Sequence, residues 1–259
     1  ELAIGSAPPS AEEQQQVPHY FVADRSIHEP ITAGEFEKFA LNQLQSLFTQ
    51  HDVVVAVGGS GMYIEALIKG LDPLPTDGEV KAKLEERLNE EGLEVLVDEL
   101  ATQDPEYAKR VDQHNSRRVV RALEVIQITG KPYSEQLSNS PKERPFSIVN
   151  WVLEMDRPAL YDRINRRVHL MISAGLEAEA RGLAAHKDLA SLQTVGYREW
   201  WPYFDVEYDL PRTIELIQQN SRRYAKRQLT YFKRIEDALW VDPNDLVGQE
   251  ESLRKAGVL

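Results

Sequence analysis

The 259-residue sequence contains no cysteine, which excludes disulfides, thiolate metal sites and a cysteine nucleophile. It also lacks any apolar run close to the roughly 20 residues that span a bilayer. Its first residues, ELAIGSAPPS, do not form a signal-peptide pattern. We therefore expect a cytoplasmic protein without membrane segments, long enough for one large α/β domain or for one domain with an insert.

Charge is distributed unevenly along the chain, although a formal net value of −12 makes the protein acidic. This excess of carboxylates argues against sequence-blind binding of nucleic acid over the whole surface. The segment Glu79–Asp98 is rich in Glu and Asp, whereas Arg163–Arg167 and Arg222–Arg234 are basic. Because local basic surfaces can still hold RNA, the position of the charges is more informative than their sum.

A run of β-branched residues followed by glycines is the stretch around which the rest of the sequence is organised. Val53–Val57 is apolar throughout and predicts a strand buried on both faces, as in a parallel sheet. Gly58-Gly59-Ser60-Gly61 follows at once, and a helical pattern begins at Met62. Such a turn places free backbone N–H groups at the sheet edge where α/β proteins bind ligands. A tight connection without a ligand explains the glycines equally well.

The remaining elements predict an α/β protein with a parallel sheet, flanking helices and a small helical insert. A capping box at Thr32–Glu35 opens a helix that leads into the central strand, so helix and strand alternate. Residues 76–114 contain short, charged helices and form the predicted insert, whereas 1–75 and 115–259 form the core. Further strands are predicted at His19–Ala23, Phe146–Glu154 and Ala238–Val241, and a long helix at Pro211–Ile235.

Arginine clusters on two predicted helices suit phosphate binding. Arg117 and Arg121 are one turn apart, with Arg118 beside them, and Arg163 and Arg167 have the same i, i+4 spacing. A planar guanidinium can give two parallel hydrogen bonds to an anion such as diphosphate. Ordinary surface solubility explains the first cluster equally well. Surface salt bridges to Asp162 or Glu177 explain the second cluster somewhat better on the pattern alone.

A basic and aromatic helix near the C-terminus is the stronger signal for RNA. Ser221–Arg234 (SRRYAKRQLTYFKR) contains six basic residues among Tyr224, Tyr231 and Phe232 and has no acid. Interleaved cations and rings favour phosphate contacts with base stacking. The turn Gln193–Arg198 (QTVGYR) either reads a base or only caps a helix. The histidines lack the spacing of a zinc site, so no metal ligands are predicted.

Taken together, the sequence closely resembles the tRNA dimethylallyltransferases, the isopentenyl-diphosphate:tRNA transferase family. The resemblance covers nearly the whole chain and rests on six stretches in a fixed order: Ile4–Tyr20, Val57–Pro75, Asn115–Pro132, Arg163–Leu183, Thr194–Trp200 and Ser221–Arg234. It implies a fold like that of P-loop NTPases, with the insert gripping tRNA. It also implies transfer of a dimethylallyl group from its diphosphate to N6 of adenosine 37 in tRNAs that read UNN codons, with Mg²⁺, by a monomer that binds the anticodon stem-loop.

The resemblance also assigns roles to particular residues. Ser60 would contact the substrate nucleotide, standing where the family commonly has Thr, and Arg163 and Arg167 would neutralise the diphosphate. The remaining residues would contact tRNA: Lys81, Arg117, Arg118, Arg121, Gln193, Thr194, Val195, Gly196, Tyr197, Arg198, Lys226, Arg227, Gln228, Thr230 and Lys233.

The sequence departs from the family pattern in two respects. It contains no GxTxxGK[ST] phosphate loop and no following Asp-Ser segment, whose Asp is the family's presumed general base, and Pro8 stands where Lys is usual. It therefore resembles an N-terminally truncated member, in which the Mg²⁺ ligands would lie in the missing segment. Two alternatives are a tRNA-binding fragment without catalysis and a P-loop kinase-like phosphotransferase, which ATP but not dimethylallyl diphosphate would stabilise.

We expect this chain to transfer a negligible amount of labelled dimethylallyl to an anticodon stem-loop, because the groups that hold the diphosphate and accept the N6 proton are absent from its sequence. Incorporation of the label, measured by scintillation counting of the recovered RNA, would contradict this expectation.

Overall fold

The structure is a computed structural model that describes residues 1–138 and 140–258. It is mainly helical, with short strands at Trp151–Leu153 (β1) and Leu239–Val241 (β2) and 3₁₀ turns at Ser134–Gln136, Ala184–His186 and Ala190–Leu192. The helices lie at Ala11–Gln16 (α1), Ala33–Leu47 (α2), Gly61–Lys69 (α3), Gly78–Glu91 (α4), Leu93–Gln103 (α5), Pro105–Arg110 (α6), Ser116–Thr129 (α7), Arg157–Ser173 (α8), Leu176–Gly182 (α9), Trp200–Phe204 (α10), Leu210–Phe232 (α11) and Leu246–Lys255 (α12). Within the described part of the chain, every helix is too short or too polar to cross a bilayer.

The first of two compact units contains Glu1–Leu67 and the chain from Pro145 onward. Its sheet pairs β1 with β2 in parallel, with Trp151 opposite Leu239 and Leu153 opposite Val241. Long helical connections separate the strands, as a parallel pair requires. The predicted α/β class, a parallel sheet flanked by helices, is therefore confirmed, although the sheet of the described residues is small.

The predicted central strand is wrong in this structure. Val53–Val57 forms no strand, and Val53, Val55 and Val57 are 49%, 77% and 93% exposed. An apolar run becomes a strand only where neighbouring strands satisfy its N–H and C=O groups, and no described segment pairs with this one. His19–Ala23 is not a strand either, because Phe21 and Ala23 have positive φ and the Phe21 ring packs on the side of α2.

The core of the first unit lies where α8, α9, α10 and α11 meet. Trp200, Tyr197 and Leu176 are almost completely buried there. Polar contacts fix the packing of α11 on α8, since Gln218 Nε2 lies 3.1 Å from His169 Nε2. Burial of large side chains at about 25 cal/mol per Å² of apolar surface makes this core the main stabilising feature of the unit.

The second unit, Ile68–Arg144, contains helices α4 to α7. Leu84, Leu96 and Leu100 pack against the buried face of α7, which includes Val119 and Leu123. This unit is larger than the predicted insert at 76–114, because α7 buries its apolar face against α4 and α5.

A buried aspartate holds two segments of the second unit together. Asp104 is 1% exposed, and its carboxylate accepts hydrogen bonds from Tyr107 N at 2.9 Å and from Ser134 N and Oγ at 2.7 Å. Burial raises the pKa of Asp104, but these bonds outweigh burial and leave the pKa below its usual value. The carboxylate thus begins α6 and anchors the turn at Ser134.

We expect Asp104→Ala to lower the free energy of unfolding by about 2–3 kcal/mol, because it leaves buried donors without acceptors. Urea unfolding followed by circular dichroism measures the change. Asp98→Ala is the matched control: Asp98 is exposed, and its removal should cost less than about 0.5 kcal/mol. Equal losses for the two variants would contradict the role given to Asp104.

Candidate functional site

The long helix α11 carries the candidate site on its C-terminal half. The helix begins after Asp209, whose carboxylate accepts a hydrogen bond from Arg212 N at 2.9 Å, with Pro211 in the first turn. Residues three and four apart fall on one side of a helix. On that side lies an open groove of about 490 Å³, lined by Arg223, Lys226, Arg227, Thr230, Tyr231 and Arg234.

The groove is positively charged and its cations are not neutralised. No carboxylate of residues 1–138 or 140–258 lies within 4.0 Å of its Lys and Arg side chains. Arg227 is placed over the Tyr224 ring, with its guanidinium carbon 5.6 Å from the ring centre. Burial, followed by the field of Glu65, raises the pKa of Tyr231, so its hydroxyl stays protonated at neutral pH. The groove therefore offers cations and neutral rings to an anionic ligand.

The glycine turn before α3 packs directly against this half of α11. Gln228 Nε2 donates a hydrogen bond of 2.9 Å to the Gly59 carbonyl. A Cβ added to Gly61 would lie 2.7 Å from the Tyr231 ring, closer than real side chains come. Ser60 stands between these glycines and is half-buried. The glycines are therefore needed for close packing, and they bring Ser60 beside the groove.

The predicted turn Gln193–Arg198 meets α11 at the other end of the groove. Glu199, which is 4% exposed, accepts a hydrogen bond from Gly196 N at 2.9 Å and another from Asn220 Nδ2 at 2.8 Å. Its carboxylate also accepts from Arg198 Nε at 3.2 Å. Gly196 has a φ of +99°, which glycine adopts without strain. Since Asn220 lies one turn before Arg223, Glu199 fixes Arg198 near the start of the basic row.

A second carboxylate, that of Glu179, supports the same turn through the buried side chain of Tyr197. Tyr197, 1% exposed, donates its hydroxyl to Glu179 Oε1 at 2.6 Å, and the backbone N–H groups of Ala3, Ile4 and Gly5 donate to the same carboxylate at 2.8–3.0 Å. Burial raises the pKa of Glu179, but the hydrogen bonds outweigh burial and lower the pKa overall. Tyr197 is thus an internal support, and the exposed part of the turn is Gln193, Thr194 and Arg198.

Three of the predicted clusters therefore meet on α11, and their members differ in role. Lys226, Arg227 and Thr230 line the groove, while Lys233 is exposed outside it. Gln228 is engaged with the glycine turn. Val195 is half-buried within its turn.

Arg163 and Arg167 do not join this surface. Helix α8 contacts α11 through a row that includes Asn165 and His169. Asn165 accepts a hydrogen bond from Arg222 Nη1 at 2.5 Å. Two residues along a helix correspond to a rotation of roughly 160° to the far side. Both arginines are exposed on that far side, so their predicted contact with diphosphate stays a prediction without support from their position.

The predicted tRNA contacts of the second unit are of two kinds. Arg117 and Arg118 are exposed, and Lys81 pairs with Glu85 at 3.7 Å. Arg121 is half-buried and holds the chain before α4, since it donates to Pro75 O at 2.9 Å and pairs with the buried Glu124 at 2.8 Å. Arg121 therefore has an internal role in this structure.

The sequence analysis did not identify the carboxylates Glu179 and Glu199, or Asn220, which donates to Glu199. The sequence signal for Glu199 was its position between the turn at Gly196 and the pair Trp200-Trp201. An acid in such a position is too common to indicate a role by itself. Among the described residues, no three His, Asp or Glu side chains are grouped closely enough to hold a metal ion. No Mg²⁺ ligand is therefore assigned among the described residues.

Comparison with known proteins gives a consistent result. A family model described as IPP transferase matches residues 1–235. A protein of Bacteroides fragilis named tRNA dimethylallyltransferase 1 is 47% identical over 244 residues, which cover 94% of this chain and 81% of the relative. The tRNA dimethylallyltransferase of Cytophaga hutchinsonii is 45% identical over 247 residues, covering 95% and 81%.

Solved structures agree with these relatives. The tRNA isopentenylpyrophosphate transferase of Bacillus halodurans superposes with a TM-score of 0.68 at 34% identity, over 98% of this chain and 82% of the other. A eukaryotic dimethylallyltransferase acting on tRNA gives a TM-score of 0.78 at 22% identity, over 100% and 68%. At that identity the second likeness concerns the fold alone.

We expect the support at Glu179 to weaken in acid. A carboxyl whose pKa is lowered by folding adds stability above its unfolded pKa, about 4.3 for Glu, and loses it as pH falls through the folded pKa. Glu179→Gln should therefore unfold more easily at pH 7 but lose less stability between about pH 5 and pH 3. Urea midpoints at several pH values measure this, with Glu177→Gln as control. Parallel curves for wild type and Glu179→Gln would contradict it.

Proposed function

Because the chain belongs to the IPP transferase family, we propose that its function is tRNA dimethylallylation, at N6 of adenosine 37 in tRNAs that read UNN codons. Transfer by this sequence as it stands is expected to be negligible, because it contains no phosphate loop and no Asp-Ser segment. The finer parts of the proposal are dimethylallyl diphosphate as donor, Mg²⁺ as cofactor, a monomeric state and a cytoplasmic location. They follow the family resemblance of the sequence.

The observation that carries the proposal is the uncompensated basic groove on α11, with Ser60 at one end and Arg198 at the other. Lys and Arg side chains in a row can follow an RNA backbone, and phosphate contacts supply most of the affinity of such surfaces. Tyr224 and Tyr231 add rings on which bases can stack. A small anionic metabolite would not need a row of this length.

The reaction joins the adenine N6 to the dimethylallyl group and releases diphosphate. The exocyclic N6 attacks the allylic carbon and a new C–N bond forms, while the C–O bond to diphosphate breaks and diphosphate leaves with the electron pair. N6 then loses one proton to a base, the role that the resemblance gives to the Asp of the Asp-Ser segment, which this sequence lacks. The adenine must leave the anticodon loop for this attack. In this chain the groove would hold the RNA backbone and the Ser60 hydroxyl would hydrogen-bond the extracted nucleotide.

The remaining predicted residues divide into proposed tRNA contacts and residues that support the fold. Arg117, Arg118 and Lys81 are proposed as tRNA contacts of the second unit, which would grip the stem-loop. Tyr197 and Arg121 would support the fold instead of touching RNA, since their polar groups are engaged internally.

A second candidate function is tRNA binding without catalysis. The same groove favours it, because its cations suffice for RNA affinity, whereas the sequence contains no phosphate loop. Binding without transfer by this chain would support it.

We expect the double substitution Lys226→Gln/Arg227→Gln to weaken binding of an anticodon stem-loop about tenfold or more near physiological salt, because two phosphate contacts are lost. The slope of log K against log salt should fall by about 2. Fluorescence anisotropy of a labelled stem-loop at several salt concentrations measures both.

The matched control removes two cations elsewhere. Arg212 and Arg254 are exposed and each pairs with a carboxylate of its own helix, so Arg212→Gln/Arg254→Gln has the same net charge as the test variant. Its affinity should stay within about twofold of wild type, because it touches no proposed contact. An equal loss in both variants would show that only total charge matters and would overturn the groove as the binding surface.

A further inference from the structure

We propose that Gln228 is a positioning residue. Its amide holds the turn that carries Ser60 against α11 and so sets where the Ser60 hydroxyl lies beside the target base. The part that concerns the base rests on the proposed function, whereas the part that concerns the turn rests on contacts within the first unit alone.

The amide of Gln228 occupies the space that a side chain at position 59 would need. A Cβ added to Gly59 would overlap Nε2, the same atom that donates to the Gly59 carbonyl at 2.9 Å. Gly59 does not have a positive φ, so the backbone conformation itself does not require glycine. Glycine leaves room there for the Gln228 amide, which a side chain at position 59 would have to displace from its hydrogen bond to the Gly59 carbonyl.

Tyr231, three residues further along α11, makes the corresponding contact on the other side of Ser60. Its ring lies 2.7 Å from the position of a Cβ on Gly61. The Ser60 carbonyl accepts the first hydrogen bond of α3, from Ile64 N at 3.1 Å. The residues on both sides of Ser60 therefore pack against α11, and the Ser60 carbonyl is hydrogen-bonded to α3. These contacts leave the Ser60 backbone little freedom.

The same helix face also lines the groove, since Tyr231 belongs to both surfaces. An RNA bound in the groove and the Ser60 turn therefore share one rigid support. Loss of the Gln228 amide frees the turn but removes no cation. It should therefore reduce recognition of the base at Ser60 and leave the phosphate-dependent affinity unchanged.

A double-mutant cycle tests the contact itself. Gly59→Ala in wild type should lower the thermal midpoint, because the new methyl group overlaps the amide. In a Gln228→Ala background the same substitution should lower it less than half as much. Gln219→Ala deletes the same side chain about two and a half turns earlier, on the opposite side of α11, and should leave the cost of Gly59→Ala unchanged. Additive effects in the Gln228 cycle would overturn the proposal, whether or not RNA binds.

A binding measurement tests the consequence for recognition. The probes are two anticodon stem-loops that differ only in adenosine or uridine at the target position. Gln228→Ala should lower the ratio of their affinities about threefold to tenfold, the worth of one hydrogen bond. Affinity for the uridine loop should stay within about twofold, and Gln219→Ala should keep the wild-type ratio.

The possible results separate the two proposals. Equal weakening of both loops by Gln228→Ala would make Gln228 a general RNA contact and overturn its positioning role. If the wild-type chain does not distinguish the loops, the proposed function fails, while the unfolding cycle still decides whether Gln228 sets the turn.

Discussion

The close approach of α11 to Gly59 and Gly61 is the constraint on which the candidate site depends. Gln228 and Tyr231 of this helix fill the space that side chains at positions 59 and 61 would need, and Ser60 lies between the two glycines. The same helix carries the groove cations on the adjoining side. The hydroxyl that we propose as the base contact and the surface that we propose as the phosphate-binding site are thus positioned by one helix, which keeps their separation fixed.

Buried carboxylates hold the turn at Gly196 in place, just as close packing at two glycines holds the turn at Ser60 in place. Glu199 and Glu179 each accept several N–H or O–H donors within the protein. Dipoles satisfy the charge of Glu179, whereas dipoles and the Arg198 guanidinium satisfy that of Glu199. Such networks are costly to break because each loss leaves a buried group unpaired. The exposed pair of Arg166 and Asp162 at 2.8 Å contributes little by comparison. Order around the groove therefore depends on acids that never meet the ligand.

The sequence allowed the local elements to be predicted better than their surroundings. The helix after the glycine turn, the basic row of α11 and the glycine-containing turn at Gly196 are properties of neighbouring residues, and the structure has all three. The strand at Val53–Val57 was predicted wrongly, because a strand depends on partners far along the chain. The separation of Arg163 from the groove was not visible either, since spacing gives a shared helix face but not the direction in which that face points.

The opposite signs of the whole chain and of its groove have a consequence for selectivity. With a net charge of −12, the surface as a whole repels RNA, but at physiological ionic strength charges are screened beyond about 8 Å. The groove cations act within that distance, and no carboxylate lies within 4.0 Å of them in the described part of the chain. If the groove binds RNA as proposed, an RNA would gain attraction mainly when its backbone enters the groove. Loops that fit would then be favoured over other RNA before any base is recognised.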